Sequence, residues 1–316
     1  MSIKQGVSLY SYQQAYYKKE LDIEGAVKAA AGAGATGIEL IAEQMPVGRY
    51  PNPSDKDIAW WKDLMAKYGT TPTCMDAFMD TRMYKGRYLT LPEQVTLMER
   101  DLRLASQLGF FCIRVLCHVR PEVIEAALPI AEYYNVKMGL EVHAPLTLTG
   151  EWVSNYIEMA ERKGSPYAAL IPDFGIFGKG LNGAMSKAAT LRGTDPDLLA
   201  QADCLIRNGG DIAPVVSQLK NKGTPPDILM MIQMSSMMTR YNDPEWLRPL
   251  AKHLVHFHAK FYRMDENCNE TSIDYAGPVK VLKEVGFDGY LASEFEGQRS
   301  YQGQDCAYEE DEIEQV

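Results

Sequence analysis

The sequence predicts an α/β protein, a (β/α)8 TIM barrel with a long helical insertion between its sixth and seventh strands. Three observations predict it. Eight short β-like runs alternate with helical stretches, the pattern of parallel βαβ units. The chain has 316 residues, enough for a barrel of about 250 residues plus insertions. Four successive strands carry a side chain of metal-ligand type toward their C-terminal ends. A doubly wound open sheet is the alternative, but the first strand is not followed by the GxGxxG turn such a sheet usually carries.

The elements follow in order. GVSLYSY (6–12) is the first strand, and LDIEGAVKAAAGAG (21–34) is a helix ending on glycine. TGIELI (36–41) is the second strand. SDKDIAWWKDLMAKYG (54–69) has an aspartate-rich first turn and helical periodicity, with Trp60 and Trp61 expected in the core. TPTCMDAF (71–78) is the third strand, LPEQVTLMERDLRLASQLG (91–109) a capped helix and FFCIRVL (110–116) the fourth strand. PEVIEAALPIAEYYN (121–135) leads to the fifth, VKMGLEVHA (136–144), and EWVSNYIEMAERKG (151–164) to the sixth, YAALIPDF (167–174). LVHFHAKF (254–261) and YLASEFEG (290–297) are the seventh and eighth, separated by a helix with a glycine stop, YAGPVKVLKEVGFDG (275–289). The whole of 1–316 is expected to form one barrel domain.

Residues 174–253 break the rhythm with helical pieces near 196–208, 211–222, 225–239 and 244–252. An insertion after a strand's C-terminal end overhangs the active face of a barrel, so this excursion is expected to be a lid or a partner-docking surface. Its run ILMMIQMSSMM is rich in methionine, an adaptable gap filler; simple packing of Met231, Met234 and Met238 on the barrel is the plainer alternative. The run EEDEIE (309–314) is expected to be a solvated helix start, in a helix beginning near Tyr308.

Composition excludes several classes. Apolar residues make up 46% and charged residues 23% of the chain, as in ordinary globular proteins. The net charge of −10 and pI near 5.1 disfavour nucleic-acid and anionic-membrane partners. No apolar run approaches the roughly 18 residues of a spanning helix, and MSIKQGVSLYSY lacks the regions of a signal peptide. Cys74, Cys112, Cys117, Cys204, Cys268 and Cys306 form no CxxC pairs. Reduced thiols in a cytoplasmic protein are the expectation.

Barrel chemistry is built at strand ends. Glu141 closes strand five, Asp173 strand six, His258 strand seven and Glu294 strand eight. Three carboxylates converging on a barrel mouth repel one another unless a cation holds them. Three oxygens and one imidazole suit a single divalent ion, Mn²⁺ first, with Mg²⁺ or Co²⁺ as alternatives. Any of the four taken alone reads as a cap, a surface charge or a core histidine; their succession makes the case. His256, one pleat deeper than His258, is expected in the core or behind the metal ligands. His143 lies two residues beyond Glu141, and imidazole titrates near neutral pH, which suits a general base. Lys260 is a candidate to polarise a carbonyl or anchor a hydroxyl, against the plainer reading of a solvated rim cation. Tyr10, Glu39, Asp76 and Arg114, toward the ends of strands one to four, are candidate substrate contacts, with Arg114 alternatively paired to a rim carboxylate.

The segments GIELIAE, LEVHAP, IPDFG, HFHAKFY and SEFEGQR resemble the xylose isomerase-like barrel superfamily of sugar isomerases, epimerases and related lyases, over nearly the whole chain. The resemblance implies that Glu141, Asp173, His258 and Glu294 hold one divalent metal. GVSLYSYQQAYY, EVHAP and SEFEGQR further resemble the larger, metal-binding subunit of bacterial C-glycoside-deglycosylating enzymes. That implies a metal-dependent carbon–carbon lyase acting on 3-oxo-C-glucosides of plant phenolics such as flavonoids, in a hetero-oligomer with a small β-sandwich-like subunit. In such a scheme the C3 ketone acidifies the C2 proton, His143 takes it, and the aglycone leaves C1 by β-elimination. Two other readings remain: a metal-dependent sugar isomerase or epimerase of the ketose 3-epimerase kind, and a non-catalytic sugar-binding subunit.

Overall fold

The computed structural model describes residues 3–239, 241–300 and 311–316. Its strands are β1 Lys4–Ser8, β2 Gly37–Ile41, β3 Thr71–Ala77, β4 Cys112–Val115, β5 Lys137–Val142, β6 Ala168–Pro172, β7 Phe257–Phe261 and β8 Tyr290–Phe295. All paired neighbours run parallel, in the order β6-β5-β4-β3-β2-β1-β8-β7. Isolated parallel bridges Leu170–Leu254 and Asp173–His258 join the two ends, so the sheet closes on itself as the predicted TIM barrel.

The helices are α1 Gln13–Tyr17, α2 Ile23–Gly32, α3 Asp55–Tyr68, α4 Leu91–Leu108, α5 Pro121–Tyr134, α6 Glu151–Lys163, α7 Gly183–Leu191, α8 Pro196–Arg207, α9 Ala213–Asn221, α10 Pro226–Met238, α11 Ala276–Glu284 and α12 Glu312–Gln315. Their starts follow local chemistry. Asp22 accepts from Gly25 N at 2.7 Å, and Ser54 with Asp57 and Thr90 with Glu93 form capping boxes. Gly69, Gly109 and Gly164 close α3, α4 and α6 in the left-handed conformation that lacks a Cβ penalty. Apolar side chains between the strands and the outer helices form one large cluster. A smaller one, including Leu198, Leu199, Leu219, Ile228 and Ile232, lies within the 174–253 insertion. The insertion therefore has a core of its own.

Several expectations are corrected. The first strand stops at Ser8, and Leu9–Tyr12 winds into a 3-10 turn that carries Tyr10. The seventh strand begins at Phe257, with Leu254 contributing a single bridge. Helix α7 was not expected, because its glycine-rich approach masks it; Asn182 caps it by accepting from Met185 N at 2.6 Å. The predicted helix 244–252 is instead two 3-10 turns, Pro244–Leu247 and Ala251–His253, because Pro249 between them has no N–H to continue a ladder. Trp61 is buried and donates to Leu108 O at 3.0 Å, but Trp60 is 40% exposed on the outer side of α3. The run around Glu312 is not simply solvated: Glu312 is buried and accepts the Gln14 and Ala15 backbone N–H groups. Tyr308 and Cys306 lie outside the described residues; the other five cysteines are unpaired thiols. Among the described residues no helix is long and apolar enough to cross a membrane.

Candidate metal centre

The barrel brings Glu141, Asp173, His258 and Glu294 to one point. Glu141 and Glu294 sit near the ends of β5 and β8, and Asp173 directly follows β6. His258 is near the start of β7 rather than its end, yet it is level with Asp173 through their bridge. The tilt and stagger of barrel strands bring residues of different strand position to one height. All four side chains are buried, Asp173 and His258 completely. His258 Nδ1 lies 3.0 Å from Glu141 Oε1, 3.6 Å from Glu294 Oε2 and 3.8 Å from Asp173 Oδ2.

Those spacings fit a divalent cation. Adjacent ligands on an octahedron with bonds of about 2.1 Å are about 3 Å apart, and the Glu141, Asp173 and His258 ligand atoms all lie within 4.8 Å of one another. Asp173 Oδ2 and Glu294 Oε2 receive no well-aligned hydrogen bond, so each retains capacity for a ligand bond. Their close contact is the Lys260 ammonium, at 3.0 and 2.8 Å.

Charge reinforces the point. Six carboxylates (Glu39, Asp76, Glu141, Asp173, Glu294 and Glu296) are buried in this part of the barrel with two permanent cations, Arg114 and Lys260. Burial opposes the charge of Glu141, yet the Arg114 guanidinium and His258 hold its carboxyl well below the usual range. Glu294 goes the other way: burial, then the Asp173 and Glu296 charges, push it up to about 8 despite Lys260 and His258. A bound cation would supply the positive charge that protonation of Glu294 otherwise replaces. Burial disfavours the charged forms of His258 and Lys260, but surrounding carboxylates keep both raised well above their ordinary values.

The other predicted residues divide. Lys260 is not a solvated rim cation: it is 1% exposed and contacts Asp173, Glu294 and Glu296. Glu39 is fully buried behind His258, 2.7 Å from His256 Nε2 and 3.2 Å from His258 Nε2, so it faces the histidines and not the mouth. His256 accordingly lies behind the metal ligands. Asp76 accepts from Arg114 Nε at 2.8 Å, and Arg114 Nη1 lies 3.6 Å from Glu141 Oε2. Arg114 therefore takes the carboxylate-pairing alternative. Tyr10 is buried beneath the Arg299 guanidinium, 5.4 Å from its ring centroid.

His143 is half-buried and lines a cavity of about 260 Å³ with residues of the insertion and Tyr262. Its Nδ1 is 2.6 Å from Ala144 O. A carbonyl only accepts, so Nδ1 carries the proton and donates, and in the neutral ring Nε2 is the nitrogen with the lone pair. Glu296 was missed by sequence reasoning. Its Oε2 contacts Lys260 Nζ at 3.0 Å and its Oε1 contacts Arg299 at 3.3 Å. Burial opposes its charge, but Lys260 and Arg299 hold its carboxyl down at about 2. The signal was available: Glu296 stands two residues after Glu294, the same-face spacing already used for Glu141 and His143.

No protein-family model matches the chain. It is 30% identical over 308 residues to the C-glycoside deglycosidase alpha subunit of Microbacterium trichothecenolyticum, covering 93% of this chain and 83% of that one. The chain belongs to the C-glycoside deglycosidase alpha-subunit family. The 3'-dehydrocarminate deglycosidase alpha subunit of a Microbacterium species is 27% identical, covering 92% of this chain and 88% of that protein. Among solved structures, L-ribulose 3-epimerase superposes with a TM-score of 0.57 at 13% identity, covering 99% of this chain and 90% of that one. At that identity the likeness concerns the barrel fold, which this deglycosidase family member shares with sugar epimerases.

Proposed function

We propose that this chain is the catalytic subunit of a C-glycoside deglycosidase that cleaves the carbon–carbon bond between a 3-oxo-glucosyl group and a phenolic aglycone. The observation that carries the reading is a candidate base, His143, beside the Glu141–Asp173–His258–Glu294 cluster in a member of this family. A C-glycoside has no leaving oxygen to protonate, so the paired-carboxylate route of ordinary glycosidases does not apply. A divalent ion held by the four residues, Mn²⁺ by preference, would supply Lewis-acid polarisation of the C3 ketone.

The protein's own groups do the rest. The Nε2 of His143 takes the C2 proton of the 3-oxo sugar, and the C2–H electron pair becomes the C1=C2 double bond. The C1–aryl bond breaks, its electron pair goes to the ring carbon of the aglycone, and that carbon takes a proton as the free phenol leaves. Lys260 places its ammonium against Asp173, Glu294 and Glu296 and offsets part of their negative charge around the sugar site. Tyr10 is a candidate sugar contact at the same rim. The alpha-subunit names of its relatives support a hetero-oligomer, and the partner in this proposal is a small β-type subunit.

The test incubates purified chain, with and without a co-expressed small subunit, with Mn²⁺ and a 3-oxo-C-glucoside. Release of free aglycone that EDTA abolishes, with the unoxidised C-glucoside inert, is the expected result. No release with the partner present would move the assignment to an isomerase or epimerase, for which free ketoses are the next substrates.

A further inference from the structure

Helix α10 lies between the insertion's own core and the His143 cavity, and Met231, with Met185 of α7, touches both. Ile228 and Ile232, one turn apart, are fully buried in the insertion's own core. Met231, Met234 and Met238 have the spacing of a single helix face, and all three line the His143 cavity, joined by Met185 from α7. Met234 remains 52% exposed, so thioether surface faces the cavity without the covering a core methionine receives. Apart from His143, the described residues lining this cavity carry no charge, and Asn182, Ser235, Thr239 and Ser272 provide neutral polar groups. That lining suits neither a phosphate nor a carboxylate. It suits a flat, neutral, weakly polar guest, because thioethers are polarisable, unbranched and favourable against aromatic rings. The volume of about 260 Å³ exceeds the roughly 150 Å³ in which an apolar cavity holds benzene.

We infer that this cavity is the subsite for the aromatic aglycone, with Met231, Met234 and Met238 contacting its ring while His143 faces the sugar. The inference rests on the proposed carbon–carbon cleavage for the identity of the guest. It makes these methionines determinants of aglycone specificity. Because unbranched thioethers repack easily, it also implies tolerance of several ring systems.

The test reads binding, not cleavage. The full chain, loaded with Mg²⁺ and isotope-labelled at methionine methyl groups, is titrated with the flavone apigenin by NMR. Saturable ring-current shifts of the Met231, Met234 and Met238 methyls are expected. The Met234→Ala/Met238→Ala pair should bind apigenin about ten-fold more weakly, and the Leu pair, which keeps the apolar volume, should stay within about three-fold of the parent. Binding of 3-oxoglucose should be unchanged in both. Apigenin binding that leaves the three methyls unshifted, or no saturable binding, overturns the inference. If the methyls shift but no 3-oxo-C-glucoside is cleaved, the cleavage reading falls and the aromatic subsite stands.

Discussion

Glu39 Oε2 lies 3.2 Å from His258 Nε2, on the opposite side of the imidazole from the carboxylates that approach Nδ1. The same oxygen lies 2.7 Å from His256 Nε2. A carboxylate behind a metal-ligating histidine orients it and favours a proton on the nitrogen it faces, here Nε2, so that a cation bound beside Glu141, Asp173 and Glu294 would displace the Nδ1 proton and take that nitrogen as ligand. Glu39→Gln should therefore weaken Mn²⁺ binding about 10- to 100-fold, measured by competition with a chelator. An unchanged dissociation constant would remove Glu39 from this role.

His143 is outside the four-residue cluster, and its Nδ1 is committed to Ala144 O. Replacing it should leave metal binding intact and remove only the proton acceptor. His143→Ala is expected to lose about 100- to 10,000-fold in turnover, the usual scale of acid–base catalysis, with the same Mn²⁺ affinity as the parent. Near-normal turnover would exclude it as the base.

Lys260 is a buried cation with three carboxylates within 3.0 Å. Removing one member of a buried charged cluster leaves uncompensated charge and costs about 3–5 kcal/mol. Lys260→Met should melt well below the parent in EDTA. Because a bound cation can replace part of the lost positive charge, Mn²⁺ should raise its Tm more than it raises the parent's. Equal melting temperatures in EDTA would contradict the electrostatic account.

The sequence exposed what depends on period and spacing. Alternating runs marked the eight strands, and Glu141, Asp173, His258 and Glu294 could be read as one set because barrel strands share a rim. What stayed hidden depends on three-dimensional detail. Glu39 looked like a rim residue, since strand position alone says nothing of the stagger that sets it behind His258. Lys260 could equally be read as a carbonyl-polarising group or a solvated rim cation, because only the folded barrel surrounds it with Asp173, Glu294 and Glu296. The burial of Glu312 arises from contacts with Gln14 and Ala15, almost the whole chain length away, which no local pattern reports.

That distant contact makes a pH prediction. Glu312 Oε2 accepts the Gln14 and Ala15 N–H groups at 3.1 and 3.0 Å, tying α12 to the first turn of α1. Burial raises its carboxyl from 4.5 to about 7, helped by Glu20 and opposed by these backbone bonds and by Lys18. The folded chain thus keeps this proton over a range in which the unfolded chain has lost it. Where the folded state binds more protons, stability falls as pH rises. The contribution is complete below about 4.5 and is lost as pH passes through about 7. Glu312→Gln cannot titrate, yet its amide oxygen can accept the same two N–H groups. Its Tm relative to the parent should therefore rise across this window, measured by thermal unfolding as a function of pH. A constant difference between the two proteins would show that Glu312 is not the group that titrates.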